Sequence, residues 1–428
     1  MKLYNFQKRV LDETEEFNRV AYYLEMGLGK TFVGSEKLMS LYENRNNQRD
    51  LVICQKSKIG DWMNHFVANY PGEVVVYDLT NKKQWIDFWE NPCGYRHQIG
   101  IINYELAWRR PALQELERYT LMLDESSLIQ NHKAKQTKFI LSLKPNNVIL
   151  LSGTPVGGKY ENLWSQARLL GWEIGLTTFQ TQYINFERLE FGGTVVRTVN
   201  KLNPYKNVER LKRKLREHGA VFMKTEEVIE LPEQRFIKVK VPKPKVYDKF
   251  MKDPYVVIDG EELVGETLLT KHLITRQICG QYNKAKLQVL KDLIESTKDR
   301  LIIFYNFNRE LEQIKSIVVD RPVSEINGSV KDLTAYENED DSITLVQYQA
   351  GAMGLNLQKA NKIIYYTLPE RSELFEQSKK RTHRVGQKNN CLYYLLITEK
   401  SIEEGILKAL ERKEDYTNEL FKEETKNE

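Results

Sequence analysis

Short, fully apolar runs of strand length recur along this chain, with helix-like stretches between them, and they limit the possible folds more than any other feature. The runs are LVIC (51–54), VVVY (74–77), IGII (99–102), LMLD (121–124), VILLS (148–152), LIIFY (301–305), ITLVQ (343–347), KIIYY (362–366) and LYYLLI (392–397). Strands that are apolar on both faces are typical of parallel sheets covered by helices on both sides. The pattern therefore predicts an α/β fold.

Two interruptions divide this pattern. Residues 157–222 read as mostly helical, and ELPEQRF (230–236) combines proline with charged residues, as linkers do. A chain of 428 residues has room for two to three domains. The predicted parts are an N-terminal lobe over 1–229 with a helical protrusion at about 157–222, and a C-terminal lobe over 230–428 with a helical insertion at about 243–298 and an amphipathic C-terminal helix at about 401–424.

Composition excludes several classes of protein. No apolar run approaches the ~18 residues that a membrane helix needs, and the N-terminus MKLYNFQKRV has no signal-peptide core. Four dispersed cysteines without a CxxC motif argue against a zinc site or a disulfide framework, so a reducing cytoplasm is expected. Lys and Arg total 64 against 59 for Asp and Glu, a mildly basic balance that allows a nucleic-acid partner without requiring one.

The stretch YYLEMGLGKT has the layout of a phosphate loop, because a strand-like run precedes it and the helix-like FVGSEKLMSLY follows. Gly27 and Gly29 would let backbone N–H groups turn toward phosphate oxygens. Lys30 would reach the β and γ phosphates, and the Thr31 hydroxyl would ligate magnesium. The strict pattern wants glycine where this chain has Leu24, so the alternative is a helix start that happens to contain GLGKT.

The segment LMLDESSLIQN (121–131) ends an apolar run in two adjacent carboxylates, Asp124 and Glu125. Taken alone, it could equally be a strand that runs into a polar turn. If Lys30 and Thr31 hold a triphosphate, this strand should lie beside the phosphate loop in a parallel sheet, where ligands bind at the carboxyl ends. Asp124 would then hold magnesium and Glu125 would orient the attacking water.

Further motifs follow in a fixed order along the chain. They are NFQ (5–7), EMGLGKT (25–31), LVICQKSKIGDW (51–62), IINYEL (101–106), LDESSLIQN (123–131), LLSGTPVGGKYENLW (150–164), LIIFYNF (302–307), QAGAMGLNL (349–357) and QSKKRTHRVGQ (377–387). Together they resemble the Swi/Snf family of helicase superfamily two, whose members are DNA translocases. The resemblance runs from Gln7 to about Lys413 and implies two RecA-like lobes with helical protrusions and a C-terminal brace helix.

The resemblance also implies roles for particular residues. For ATP binding they are Gln7, Gly27, Leu28, Gly29, Lys30, Thr31, Gly354, Arg381 and Arg384; for magnesium, Thr31 and Asp124; for catalysis, Lys30, Asp124, Glu125, Arg381 and Arg384; for coupling, Ser152, Gly153, Thr154 and Gln377; and for DNA contact, Lys56, Ser57, Asn306 and Asn356. Arg381 and Arg384 would act as arginine fingers. Because they are three residues apart, they would share a face on a helix or its last turn. The expected cofactors are ATP and Mg²⁺, and the expected partner is double-stranded DNA.

Four positions depart from the family pattern. Ser126-Ser127 stand where Ala-His is usual, Gln55 replaces a proline, Gln349 stands where an arginine is common, and TLPER (367–371) lacks a Trp-Asn pair. A histidine after the acidic pair often helps couple hydrolysis to DNA binding in this family. Coupling in this chain is therefore expected to differ, while the metal and water roles are retained.

Three functions are compatible with these motifs. The first is an ATP-hydrolysing motor that moves along duplex DNA by tracking its phosphates. The second is a strand-separating helicase or an RNA motor, and the third is a nucleotide-gated DNA-binding or assembly factor with little turnover. Because no reader, zinc or nuclease module is recognisable, we expect a compact monomeric motor of bacterial or phage type. It would act in replication, recombination or repair in a bacterial or phage-infected cytoplasm, with other proteins of those processes as possible partners.

Overall fold

A computed structural model describes residues 3–42, 49–90, 96–156, 159–191, 194–200, 202–351 and 355–421. The chain forms two compact units, of which the first comprises Met1–Val228 with Asp415–Glu428 and the second comprises Ile229–Glu414. In the described part of the chain, no helix is both long and apolar enough to span a membrane.

The strands are β1 (Arg19–Leu24), β2 (Arg49–Cys54), β3 (Val74–Asp78), β4 (His97–Asn103), β5 (Thr120–Asp124), β6 (Asn147–Leu151), β7 (Phe186–Phe191), β8 (Thr194–Val199), β9 (Ala220–Met223), β10 (Gln234–Val241), β11 (Tyr255–Ile258), β12 (Glu261–Val264), β13 (Leu301–Tyr305), β14 (Val323–Ile326), β15 (Lys331–Asp332), β16 (Ile343–Gln347), β17 (Lys362–Tyr365) and β18 (Cys391–Thr398). The helices are α1 (Asn5–Glu13), α2 (Lys30–Ser40), α3 (Ile59–Asn69), α4 (Lys82–Glu90), α5 (Tyr104–Ala107), α6 (Lys135–Ser142), α7 (Trp164–Leu169), α8 (Leu176–Tyr183), α9 (Val208–Glu217), α10 (Lys245–Lys252), α11 (Leu268–Gly280), α12 (Lys284–Glu295), α13 (Asn308–Ile317), α14 (Thr334–Asn338), α15 (Tyr348–Gly351), α16 (Ser372–Lys379) and α17 (Ile402–Phe421). Short 3₁₀ helices cover Lys56–Lys58, Pro111–Glu115, Ser126–Ile129, Tyr160–Leu163 and Thr225–Glu227.

The described part of the first unit is built on a parallel sheet with the strand order β3-β4-β2-β5-β6-β1-β9. The side chains of β4 are buried along the whole strand, as expected for a sheet covered on both faces. Strand β6 lies between β1 and β5. The segments that follow these three strands therefore emerge side by side at one edge of the sheet.

The described part of the second unit has a sheet of the order β10-β18-β17-β13-β16-β14-β15, parallel except for the β14–β15 pair. The predicted α/β class is thus confirmed in both units. Beside this sheet, the Lys286 ammonium group contacts both carboxylate oxygens of Glu403 at 2.7 and 2.6 Å. Both side chains are buried, so this ion pair fixes the first turn of α17 to the first turn of α12.

Two stretches that were predicted to be helical also contain strands. Residues 157–222 include the antiparallel hairpin β7–β8 and also β9, which joins the main sheet beside β1. FERLEF and TVVRTV mix polar and apolar residues, so neither contains the continuous apolar run that identified the other strands. Residues 243–298 likewise contain the hairpin β11–β12 among their helices.

The predicted linker at 230–236 is a linker only at its start. Strand β10 begins at Gln234 and pairs with β18 at the edge of the second sheet. Most of its side chains are exposed, including those of Lys238 and Lys240. It is the outermost strand of the sheet in the described part of the chain. The mixed polar and apolar sequence of an edge strand gave no continuous apolar run to detect.

We predict that Lys286→Met destabilises the protein strongly, since it leaves the Glu403 carboxylate buried without its cation. Removing one partner of a buried ion pair typically costs about 3–5 kcal/mol. Chemical denaturation of the full chain measures the change. The exposed Lys284→Ala, in the same helix, should alter stability by less than about 0.5 kcal/mol. Equal stability of the two variants would contradict an anchoring role for Lys286.

Candidate nucleotide site and nucleic-acid interface

The phosphate loop, the Ser152–Thr154 segment and the acidic pair meet at one edge of the first sheet. They follow β1, β6 and β5, which are neighbours in the strand order. The register aligns Leu151 with both Tyr22 and Asp124. The Ser152 N–H then donates to the Tyr22 carbonyl at 3.3 Å. Parallel strand pairing alone thus brings three sequence-distant motifs together.

Gly29 ends the phosphate loop as the residue before α2, with a left-handed φ of +73°. A Cβ at this position would overlap the amide nitrogen of Gln7. Lys30 and Thr31 are the first two residues of α2, so both lie at the positive end of the helix dipole. Backbone N–H groups and a helix N-terminus of this kind form an anion-binding site.

The Lys30 ammonium group lies between the phosphate loop and the segment after β6. It donates to the Leu24 carbonyl at 3.0 Å. A Cβ on Gly153 would stand 3.2 Å from the same nitrogen. A larger residue than glycine at 153 would therefore crowd the lysine, which explains a glycine between Ser152 and Thr154. The Thr154 N–H donates to the Ser152 hydroxyl at 3.2 Å and closes a small turn around Gly153.

Gln7 is buried in α1, and its amide is engaged on both sides. The Tyr4 N–H donates to its Oε1 at 2.9 Å, and its Nε2 donates to the Leu28 carbonyl at 3.0 Å. Gln7 therefore joins the N-terminal helix to the phosphate loop. The structure places this predicted adenine reader directly beside the loop that it should serve.

Asp124 and Glu125 lie at the carboxyl end of β5. Trp62 Nε1 donates to Asp124 Oδ2 at 2.9 Å, and the Tyr104 hydroxyl donates to the Asp124 carbonyl at 2.8 Å. Burial raises the pKa of Asp124, and the Trp62 hydrogen bond and the nearby Lys30 charge act in the opposite direction. Glu125 has a left-handed φ of +54° and turns the chain into the 3₁₀ helix that follows.

Trp62 has no role assigned from the sequence, although it closes the motif LVICQKSKIGDW. Its place one turn into α3 turns the indole N–H onto the carboxylate. In the described part of the chain, no cluster of three or more His, Cys, Asp or Glu side chains could hold a metal. Magnesium commonly uses only one or two protein ligands together with substrate phosphates and water, so the Thr31 hydroxyl and the Asp124 carboxylate fit its chemistry.

The first predicted DNA-contact loop lies at the same edge of the sheet. Lys56 and Ser57 are exposed in the 3₁₀ helix after β2, which is the strand beside β5. Gln55, which stands in place of a proline, precedes that helix with extended backbone. A cationic side chain is thereby held on the surface one strand away from the acidic pair.

In the second unit, the candidate residues also follow strand ends. The Asn306 amide donates to the Thr367 hydroxyl at 2.9 Å and to the Leu368 carbonyl at 3.1 Å. Asn356 is exposed and accepts a hydrogen bond from Arg384. Both predicted DNA-contact residues of this unit, Asn306 and Asn356, therefore form hydrogen bonds within the unit itself. Gly354 lies outside the described residues.

The two candidate finger arginines are not in a helix. Helix α16 ends at Lys379, and Arg381 and Arg384 lie in the turns after it. The Arg381 N–H donates to the Ser378 carbonyl at 3.3 Å, which tightens the chain as it leaves the helix. Arg381 is buried and Arg384 is half-buried, and burial lowers the pKa of Arg384. The expected shared helical face is therefore replaced by a turn.

One contact ties this arginine turn to another segment of the second unit. His383 Nε2 lies 2.7 Å from the Pro232 carbonyl, so the turn is tied to the segment that precedes β10. His383 is buried, and its contact with the Pro232 carbonyl gives it a structural role in this turn. Gln377, predicted to take part in coupling, lies half-buried on the preceding helix.

Glu310 is a buried carboxyl group that the sequence analysis did not single out. Its Oε2 accepts from the Asn306 N–H at 2.9 Å, the Phe307 N–H at 3.2 Å and the Thr367 hydroxyl at 3.0 Å. Its Oε1 has no hydrogen-bond partner among the described residues. Burial raises the pKa of Glu310 to about 7, although these hydrogen bonds oppose the shift. This side chain holds the loop that carries Asn306.

Comparison with known families agrees with this arrangement. The family model described as the SNF2-related domain matches residues 24–284, and the one described as the helicase conserved C-terminal domain matches residues 285–386. The first match alone covers more than half of the chain. The protein therefore belongs to the SNF2-related family, as its motifs predicted.

Individual relatives are distant but similar over nearly the whole chain. The human SWI/SNF-related matrix-associated actin-dependent regulator of chromatin subfamily A member 1 is 25% identical over 91% of this chain and 40% of its own length. YwqA of Bacillus subtilis, whose name describes an ATP-dependent helicase/translocase, is 24% identical over 94% of this chain and 46% of its own length. The chain thus spans less than half of these curated relatives.

A solved structure also resembles this chain. The SWI2/SNF2 ATPase core of Sulfolobus solfataricus in complex with double-stranded DNA is 20% identical, with a TM-score of 0.47, over 98% of this chain and 93% of that one.

Gly29→Ala should abolish nucleotide binding at this site. The added methyl group would overlap the Gln7 amide, and alanine at a left-handed φ costs roughly 1–2 kcal/mol. Titration with a fluorescent ATP analogue measures the loss. Gly72→Ala is a matched control, because Gly72 also has a positive φ but its Cβ would meet no atom within 4 Å. Equal analogue affinity of both variants would refute the crowding argument.

Stability of the second unit should fall as the pH rises through about 7, where Glu310 ionises. The folded-state pKa lies above the unfolded value of ~4.3, so the folded protein binds more protons in between. The stabilising contribution of the protonated Glu310 is complete below the unfolded pKa and is lost above the folded pKa, a change of about 4 kcal/mol. Denaturation should show that the free energy of unfolding differs less between pH 5 and pH 8 in Glu310→Gln than in the wild type. The exposed Glu312→Gln should behave like the wild type, and an unchanged difference in Glu310→Gln would contradict the assignment.

Proposed function

We propose that this protein hydrolyses ATP when bound to double-stranded DNA and uses the cycle to move along the duplex. The observation that carries the proposal is the convergence of Lys30, Gly153 and Asp124 at one sheet edge, with the exposed Lys56 one strand away. The names of its relatives support the proposal, since they describe chromatin regulators and an ATP-dependent helicase/translocase. Family membership is the second support.

Each part of the site has a proposed task in hydrolysis. The loop from Gly27 to Gly29 and the N-terminus of α2 would bind the phosphates, with Gln7 at the adenine. The Lys30 ammonium would neutralise charge on the β and γ phosphates. Thr31 and Asp124 would hold Mg²⁺, which supplies charge neutralisation at the phosphates when bound.

The raised pKa of Asp124 agrees with a metal-ligand role. Burial disfavours its carboxylate, whereas a neighbouring cation favours it. A bound divalent cation would therefore ionise Asp124 fully. Glu125, the next residue, would orient the attacking water as a general base. Glu125 has a left-handed φ of +54°, which marks the point where the chain turns after β5.

We assign the remaining roles to residues of both units. Arg381 and Arg384 would neutralise charge on the transferring phosphoryl group, which is worth about 10³–10⁵ in rate when such an arginine is in place. Gly354 would border the nucleotide. Ser152, Gly153, Thr154 and Gln377 would couple the nucleotide state to movement of the units, and Lys56, Ser57, Asn306 and Asn356 would track the phosphate backbone.

The proposed setting is a bacterial or phage-infected cytoplasm, where the motor would act as a monomer in replication, recombination or repair. A bacterial relative supports this setting. The three described cysteines, Cys54, Cys279 and Cys391, are free thiols in buried positions, as in a reducing compartment.

ATP turnover should rise strongly with duplex DNA and little with single-stranded DNA, duplex RNA or no nucleic acid. Lys30→Ala and Glu125→Gln should each lower the DNA-stimulated kcat by at least about 100-fold, because they remove phosphate neutralisation and the general base. A coupled assay under the four conditions measures these rates. Lys138→Ala and Glu115→Gln, which change exposed residues of the same unit, are the matched controls.

Other outcomes would select another function. Equal, low turnover under all four conditions would contradict the motor and favour a nucleotide-gated binding factor. Stimulation chiefly by single strands or RNA, together with strand displacement, would favour a helicase.

A further inference from the structure

A buried glutamine bridges the acidic segment and the segment after β6. The Ser126 hydroxyl donates to Gln166 Oε1 at 2.8 Å. Gln166 Nε2 donates in turn to the Pro155 carbonyl at 2.8 Å. Ser126 directly follows Glu125, and Pro155 directly follows Thr154. The two bonds therefore connect the residue after Glu125, a proposed catalytic residue, to the residue after the proposed coupling segment.

Asn162 forms a second bridge of the same kind. Its amide donates to Gln130 Oε1 at 2.8 Å and to the Val156 carbonyl at 2.9 Å. Gln130 closes the 3₁₀ helix that begins at Ser126. Asn162 lies in the 3₁₀ helix that leads into α7, and Gln166 lies in the first turn of α7. One short stretch of chain therefore reaches the same two segments twice.

Burial strengthens the first bridge and makes it costly to break. Ser126 and Gln166 are both fully buried. A buried hydrogen bond in a low-dielectric interior is strengthened, and breaking it leaves polar groups without water. A shift of Pro155 would therefore pull on Ser126 through two short bonds. The backbone at Glu125, held at a left-handed φ, would turn with it.

We propose that Ser126 and Gln166 are positioning residues that transmit movement of the Ser152–Thr154 segment to the Glu125 carboxylate. This inference rests on the proposed ATPase function of the site. It also accounts for a departure in the motif, because the alanine usual at position 126 in this family has no hydroxyl to donate. The Ser126 hydroxyl is thus the first donor in the link from Ser126 through Gln166 to Pro155.

The test uses full-length variants that break the link at different points. Ser126→Ala removes the hydroxyl donor, and Gln166→Glu removes the donor to Pro155 while keeping an acceptor for Ser126. Ser165→Ala is the matched control, because Ser165 is also buried and its hydroxyl has no hydrogen-bond partner among the described residues. Ser126→Thr keeps the hydroxyl and should restore the link.

We expect Ser126→Ala and Gln166→Glu each to lower the DNA-stimulated kcat by about 5- to 10-fold, the effect of one lost hydrogen bond. The KM for ATP should stay within about twofold, because the link does not touch the nucleotide-binding residues. The double variant should be no slower than the slower single variant, since both changes break one series of bonds. Ser126→Thr should recover most of the rate, and Ser165→Ala should match the wild type.

The proposed function and the inference fail in different ways. A wild-type protein without DNA-stimulated turnover would overturn the proposed function itself. A stimulated wild type with an unchanged kcat in Ser126→Ala or Gln166→Glu would overturn the link alone. A loss carried by KM, or losses that multiply in the double variant, would also overturn it. If Ser126→Ala does not fold, the kcat of Gln166→Glu decides the question.

Discussion

Parallel pairing of β6 between β1 and β5 is the constraint on which the nucleotide site depends. The three strands are separated by long stretches of chain, yet their carboxyl ends emerge side by side. Their buried apolar side chains fix this order, because each strand needs helices on both faces. The reactive groups lie on the short segments after the strands. Core packing thus sets the positions of the proposed catalytic groups without using their own side chains.

At this edge of the first sheet, opposing effects act on the charge of Asp124. Asp124 is held in surroundings that penalise its charge, and the Trp62 N–H and the Lys30 ammonium favour the ionised form. Such a group responds strongly to any added cation. The same design recurs in the second unit, where three donors converge on Glu310 and burial still raises its pKa. Both carboxyl groups lie beside strand ends that carry proposed functional residues.

Much of this arrangement was predictable from the sequence, because long apolar strands and glycine-rich turns have strong local signals. The runs at 121–124 and 343–347, for example, coincide with β5 and β16. The hairpin β7–β8 and strand β10 were missed, because their mixed composition gives no continuous apolar run and their formation depends on tertiary neighbours. The place of Arg381 in a turn could not be predicted from its spacing to Arg384. The Ser126–Gln166–Pro155 link could not be foreseen either, because it joins segments 29 to 40 positions apart through an amide that no motif marks.

The outer strands of the second sheet have a consequence for self-association. An exposed strand edge presents unpaired N–H and carbonyl groups to any other extended chain. Here one edge is β10, which exposes Lys238 and Lys240, and the other is β15, a two-residue strand of Lys331 and Asp332. Charged side chains at one edge, where Lys238 and Lys240 pair with Glu411 and Glu399, and shortness at the other edge oppose the addition of a further strand. The second sheet therefore carries, at both ends of its strand order, a feature that limits its extension by a strand from another molecule.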